Sequence, residues 1–297
     1  MRPSAPDELG TTLSELSHVA RAYEGMGGVD IIHDHTLAGP LYLQRPEHVP
    51  VVTTMHGPLG AEATDIYRAL GRKASIIAIS RDQGSHALEV PVTRVIHHGM
   101  DLSSVPVGSG SGGYLCFVGR ACPDKGLLEA IMIAREAGVP LKIAVKMREQ
   151  DEIRYFRDVI EPILGPNEDF VGEVDNRAKY SLMGDAIAFL NPIQWSEPFG
   201  LVMIEALATG TPVIGTAVGS APEIVDHGRT GYLGKTADLS GFVQSAAALS
   251  RDVCRRTAEE RFSEERMVAD HLRLFTELLE GSVAAGVPDA AVVHQNR

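Results

Sequence analysis

At ~150 residues per domain, a chain of 297 residues has length for about two domains and can bury a sizeable core without disulfide or metal staples. Lys+Arg 27 against Asp+Glu 39 leaves a net charge of -12, which repels nucleic-acid phosphate and anionic lipid at long range. Hydrophobic residues at 44% and charged residues at 22% exclude disorder, collagen-like repeats and a membrane bundle.

The N-terminal stretch, MRPSAPDELGTTLSEL, has no apolar leader, and no window is long and apolar enough for a spanning helix. Short β-branched runs then alternate with helical patterns, starting at Val29–His33, Val51–Thr54, Ser75–Ile79 and Val92–Ile96. This alternation predicts βαβ units with parallel strands. Residues 99–113 are dense in glycine and serine and lack the apolar groups for an element of their own, so they read as an interdomain linker. The alternation resumes at Tyr114–Val118, Pro140–Val145, Asp169–Val171, Ala186–Leu190 and Pro212–Gly215. Helices are expected over Ala237–Leu249 and Ser263–Glu280. The alternating charges from Glu259 to Arg266 suit a solvated helix face, and the last stretch is expected to be a tail.

Three cysteines, Cys116, Cys122 and Cys254, show no CxxC spacing, which argues against a disulfide scaffold and a cysteine zinc site. The expected compartment is a reducing cytoplasm. His33-Asp34-His35 and His56 bring histidines to strand ends without a recognisable metal-ligand spacing, so no metal site is expected there.

Chemistry concentrates in WSEPFGLVMIEALATGTPVI, where Glu197 stands in a loop before a helix and Glu205 lies about one and a half turns inside it. The Pro198-Phe199-Gly200 turn would aim backbone N–H groups at an anion or at sugar oxygens. A capped amphipathic helix explains the same residues equally well. In FVGRACPDKG, Arg120 and Lys125 follow the first strand of the second sheet, where cations could neutralise a diphosphate, or could simply decorate a surface turn.

That long string, with its continuation GTAVGSAPEIVDHGRTGYL, resembles the E-x7-E signature of family 4 glycosyltransferases, and the likeness runs over roughly residues 29 to 280. Members are retaining enzymes of the GT-B fold that use nucleotide-sugar donors. The resemblance implies an α/β fold of two Rossmann-like domains with parallel sheets facing a cleft, the first domain incomplete. Only about 28 residues precede VDIIHDH, where the family has a strand and a Gly-rich turn. The expected division is 1–105 as a shortened acceptor-side domain, 106–262 as the donor-binding domain, 263–281 as a C-terminal helix and 282–297 as the tail.

By the same resemblance, Glu197 would bond hydroxyls of the donor sugar and Glu205 the ribose. Arg120 and Lys125 would hold the diphosphate, with Gly119 and Gly126 allowing close backbone approach. The amides of Phe199, Gly200 and Leu201 would take sugar or phosphate oxygens. Val171 and Glu173 would lie in the base-binding loop, His56 would touch the sugar, and His35 would border the acceptor pocket. The implied activity is glycosyl transfer, most simply of a hexose, with retention and without a cofactor. The donor is a small-molecule nucleotide sugar; no nucleic-acid partner and no transmembrane segment are expected. A noncatalytic nucleotide-sugar-binding remnant, or a partner-binding protein using an exposed sheet edge, is the rival reading. The EPFGLVMIE context argues against an epimerase or phosphorylase. Asp124, Lys146 and Asn191-Pro192 also fall near strand ends, where turn formation or packing would account for them as well.

Overall fold

The computed structural model describes residues 12–285 apart from 44, 45 and 47. Residues 1–11, and 286–297 of the expected tail, lie outside the described residues. In chain order the elements are α1 (Thr12–Glu24), β1 (Ile32–Asp34), β2 (Val51–Met55), α2 (Ala61–Leu70), β3 (Ser75–Ala78), α3 (Arg81–His86) and β4 (Val92–Val95). The second half contains β5 (Leu115–Arg120), α4 (Leu127–Ala137), β6 (Leu141–Lys146), α5 (Gln150–Tyr155), β7 (Glu168–Phe170), α6 (Asn176–Asp185), β8 (Ala188–Asn191) and α7 (Leu201–Ala208). It ends with β9 (Val213–Thr216), α8 (Ala221–Ile224), β10 (Gly231–Gly234), α9 (Val243–Ala247), α10 (Arg251–Phe262) and α11 (Glu264–Ala285).

Among the described residues the strands form two parallel sheets, as the alternation predicts. The first runs β1-β2-β3-β4, and the second β10-β9-β8-β5-β6-β7. In the second sheet the winding reverses between β5 and β8, and in open α/β sheets ligands bind at the carboxyl ends beside such a reversal. Its strands are apolar on both faces because helices cover both: one layer packs around Phe189, Met203 and Leu207, the other around Leu115, Phe117 and Ile131.

Several boundaries differ from expectation. Strand β1 starts at Ile32, where pairing with Val51 begins, and Val29 stays outside it. The opening residues contribute α1, whose Val19 and Tyr23 cover Ile32 and Val51. The helix expected over Ala237–Leu249 is broken into two short 3-10 turns before α9, at Thr236–Asp238 and Ser240–Phe242. Strand β10, Gly-Tyr-Leu-Gly, carries no β-branched run and is set by its pairing with β9. The expected tail begins four residues too early, because α11 continues to Ala285.

The glycine-rich segment forms no regular element but is pinned to the second sheet's helices. Gly108, Gly110 and Gly112 donate to the carbonyls of Thr209, Gly184 and Asp185. A Cβ on Gly108 would meet the Gly184 backbone at 2.1 Å, so the glycine allows two backbones to touch. Arg251 and Arg255 from α10 bind carbonyls along the same path, including those of Gly108, Leu102 and Val105. The chain returns at Ser263, which forms an isolated bridge with Met100, and α11 then packs Leu274 against Val52, Ile77 and Ile96 of the first sheet.

Candidate functional site

A cavity of about 410 Å³ opens at the reversal between β5 and β8. Its walls include Gly119 and Arg120 from β5, Lys146 from β6, Asn191 from β8, and Lys125 and Glu197 from loops. Phe199 and Leu201 contribute from the start of α7, Glu205 from inside it, and Glu173 and Lys179 from the β7–α6 side. Arg120, Lys125, Glu197 and Glu205 therefore share one space. Val171 and Gly200 are not among the lining residues, although Gly200 caps α7 without a side-chain hydrogen bond. The uncapped end of α7 presents backbone N–H groups and partial positive charge on this side.

The charged groups are paired. Lys125 binds Glu197, with side chains only 17% and 12% exposed. Lys179 of α6 bonds Glu205 at 2.7 Å. Arg120 donates to Glu152 at 3.0 Å. Burial pushes the Glu152 carboxyl up, but the Arg148 and Glu149 N–H groups and Arg120 outweigh it and hold the pKa below the usual glutamate range.

Two buried polar atoms in this cavity, Glu197 Oε2 and Asn191 Nδ2, have no hydrogen-bond partner among the described residues. Such atoms carry a desolvation penalty that a polar ligand would relieve. Lys125 is positioned by Gly126, whose φ of 74° is left-handed and whose added Cβ would sit 1.9 Å from the Pro192 carbonyl oxygen. Sequence reading missed Lys179, which no motif marks, and left Asn191 and Lys146 undecided; the strand-end positions of these two were the available signal.

His35 and His56 lie elsewhere, in a second cavity of about 380 Å³ between the first sheet and α11. His33, His98 and His271 join them there. The alternation of His33-Asp34-His35 is as expected: the two rings lie 4.2 Å apart, while Asp34 is buried and accepts from Tyr23 and twice from Thr36. The cavities meet at a shared wall, where the His98 ring stands edge-on to Phe199 at 5.2 Å. Among the described residues no group of three or more His, Cys, Asp or Glu is arranged to hold a metal ion, and no helix is long and apolar enough to cross a membrane.

The two halves are joined by a carboxylate. Glu223 of α8 accepts from the backbone N–H groups of Arg81 and Asp82 at the start of α3, and bonds His97 Nε2 at 2.7 Å. Ser196 donates to Asp82 across the same boundary.

Two Rossmann-like sheets facing a cleft, with a charged cavity at the second sheet's reversal, define the GT-B architecture. The fold is similar to that of sucrose-phosphate synthase from Thermosynechococcus elongatus, with a TM-score of 0.76, 21% identity, and coverage of 94% of this chain and 81% of that one. The profile described as glycosyl transferases group 1 matches residues 109–265, and the chain belongs to that family. Among curated relatives, N-acetyl-alpha-D-glucosaminyl L-malate synthase of Bacillus anthracis is 35% identical over 119 residues, 37% of this chain and 30% of that one. Glycogen synthase of Mycobacterium tuberculosis is 26% identical over 275 residues, 81% of this chain and 65% of that one. The chain thus spans from under a third to just under two thirds of the length of these relatives.

Proposed function

We propose that this chain carries out, or forms part of, retaining glycosyl transfer from a nucleotide-diphosphate sugar, as a family 4 glycosyltransferase, with a hexose as the transferred group. The observation that carries the reading is the cavity beside the β5–β8 reversal, where paired cations and carboxylates surround two buried polar atoms without partners. A donor would exchange these internal pairs for its own groups. Lys125 and Arg120 would turn to the diphosphate, Glu197 and Asn191 to sugar hydroxyls, and Glu205 to the ribose, with oxyanion charge stabilised as it develops. Glu173 and the Val171 backbone stand on the side assigned to the nucleobase.

In the transfer, the bond from the anomeric carbon to the diphosphate oxygen breaks while the acceptor oxygen bonds the same face. The acceptor's proton passes to the departing diphosphate. This reading assigns no cofactor, and it gives His56 contact with the sugar from across the shared wall. The proposed division keeps 1–105 on the acceptor side and 106–262 on the donor side, with residues 263–281 crossing back, inside a cytoplasmic protein. A thermal-shift screen of nucleotide sugars, followed by turnover and product configuration with any stabilising donor, tests it. Stabilisation with turnover supports the reading, stabilisation without turnover leaves a binding module, and no stabilisation by any donor rejects it.

A further inference from the structure

The second cavity contains groups for which sugar transfer, as read so far, has no use. His33 follows from β1, His98 from the segment after β4 and His271 from α11, and they meet His35 and His56 at the open rim. Their contacts are ring to ring: His33 lies 5.1 Å from His271, His56 stacks on His98 at 5.6 Å, and His35 Nδ1 stands 2.8 Å from His56 Nε2. The rest of the lining is apolar apart from Thr54, which bonds His33 Nε2 at 2.8 Å. No lysine, arginine or carboxylate is among the lining residues.

The charged groups facing the cluster are few. Asp34 lies behind His33 and His35 on β1, already bonded by Tyr23 and Thr36. Arg266 of α11 lies near His98, bonds the His97 and His98 carbonyls, and pairs with Asp270, which also holds Arg273. Burial and neighbouring imidazoles lower His33 and His98 to about 4, and shift His35 and His56 downward too. Four of the five rings, His33, His35, His56 and His98, are thus biased toward the neutral form, first by burial and then by neighbouring rings. His271 Nδ1 bonds the Met267 carbonyl and so carries its proton, leaving Nε2 as the atom that gains one on ionisation.

We propose that this cavity is the acceptor subsite and that it takes a hydroxylated acceptor bearing a phosphate or carboxylate group, bound with uptake of protons by the imidazole cluster. The anion supplies the missing counter-charge, and the apolar wall of Ile79, Ile96, Met267 and Phe275 keeps competing water away. The acceptor role rests on the donor reading of the first cavity. Across the His98–Phe199 wall, a hydroxyl on the same molecule would face the donor sugar.

The test follows histidine ring NMR signals at pH 7 while glycerol 3-phosphate is added, with glycerol as the neutral control. Expected is a shift of several rings toward the imidazolium pattern with the phosphate and none with glycerol, and affinity that tightens, for each proton taken up, by up to about tenfold per pH unit lowered. His271→Gln and His98→Gln, each checked for fold by circular dichroism, should each weaken binding about tenfold or more. Vesicles of phosphatidylinositol in phosphatidylcholine offer the same chemistry on a lipid, so a response to vesicles alone assigns the anion to a headgroup. Silent rings with both sources, or equal binding by the variants, would overturn the proposal. Silent rings in a protein that nucleotide sugars stabilise would leave the donor reading standing, whereas responsive rings without donor stabilisation would reject that reading and leave an anion site.

Discussion

The two cavities are of similar size and share a wall, yet they manage charge in opposite ways. In the first, each prominent carboxylate holds a cation: Glu197 with Lys125, Glu205 with Lys179. In the second, basic rings crowd together and remain neutral. The difference separates two strategies for recognising polar ligands. A cavity of ion pairs is preorganised and asks a ligand to trade partners, so its residues fail badly when one is removed. A cavity of uncharged bases costs less to keep empty and draws its charge from solvent protons when a ligand arrives.

The sharpest way to break the contrast is to remove one member of the buried pair. Lys125→Ala or Glu197→Ala is expected to lower the rate of sugar transfer by at least about 100-fold, measured by steady-state kinetics. Each single variant should also lose about 3–5 kcal/mol of stability, because the remaining charge is left buried without its partner. The double variant should regain much of that stability in thermal melts and none of the activity. Two singles as stable as the parent would show that the pair is not a buried one.

A backbone change comes next. Gly126→Ala places a methyl group against the Pro192 carbonyl in a left-handed conformation. It is expected to cost about 1–3 kcal/mol and to slow transfer roughly 10- to 100-fold by displacing Lys125, with far-UV circular dichroism unchanged.

Acid should act on the second cavity. His33 and His98 titrate near 4 in the folded protein against an ordinary 6.5, so between those values the unfolded chain binds more protons. Their contribution to stability is full above about pH 6.5 and is lost as pH falls toward 4. Thermal melts from pH 7.5 to 4.5 should show this decline, and His33→Gln should flatten it.

The smallest effect is expected at the join between the halves. Glu223→Gln keeps an acceptor for α3 but loses the charge that faces His97. A loss of about 1 kcal/mol and a slightly larger radius in solution scattering are expected.

Much of the scaffold was readable because parallel strands buried on both faces must be β-branched runs, as at Ser75–Ala78 and Val213–Thr216. Strand β10 was not, since Gly-Tyr-Leu-Gly takes its conformation from a neighbour rather than from its own side chains. The first cavity was largely legible because Arg120, Lys125, Glu197 and Glu205 fall in two compact strings at strand ends and a helix start. Lys179 lies on a helix with no motif around it, and its role follows only from the approach of α6 to α7. The imidazole cluster was half visible: His35 and His56 close strands of one sheet, but His271 arrives from more than two hundred residues away on α11. No spacing rule relates positions that only tertiary packing makes adjacent.

The chain crosses between its halves twice, and the crossings lie side by side where Met100 and Ser263 exchange backbone hydrogen bonds with each other's neighbourhood. Two adjacent threads make a narrow connection, so the ring contact that links the walls of the two chambers, His98 against Phe199, is where any change in how the halves meet would register in both.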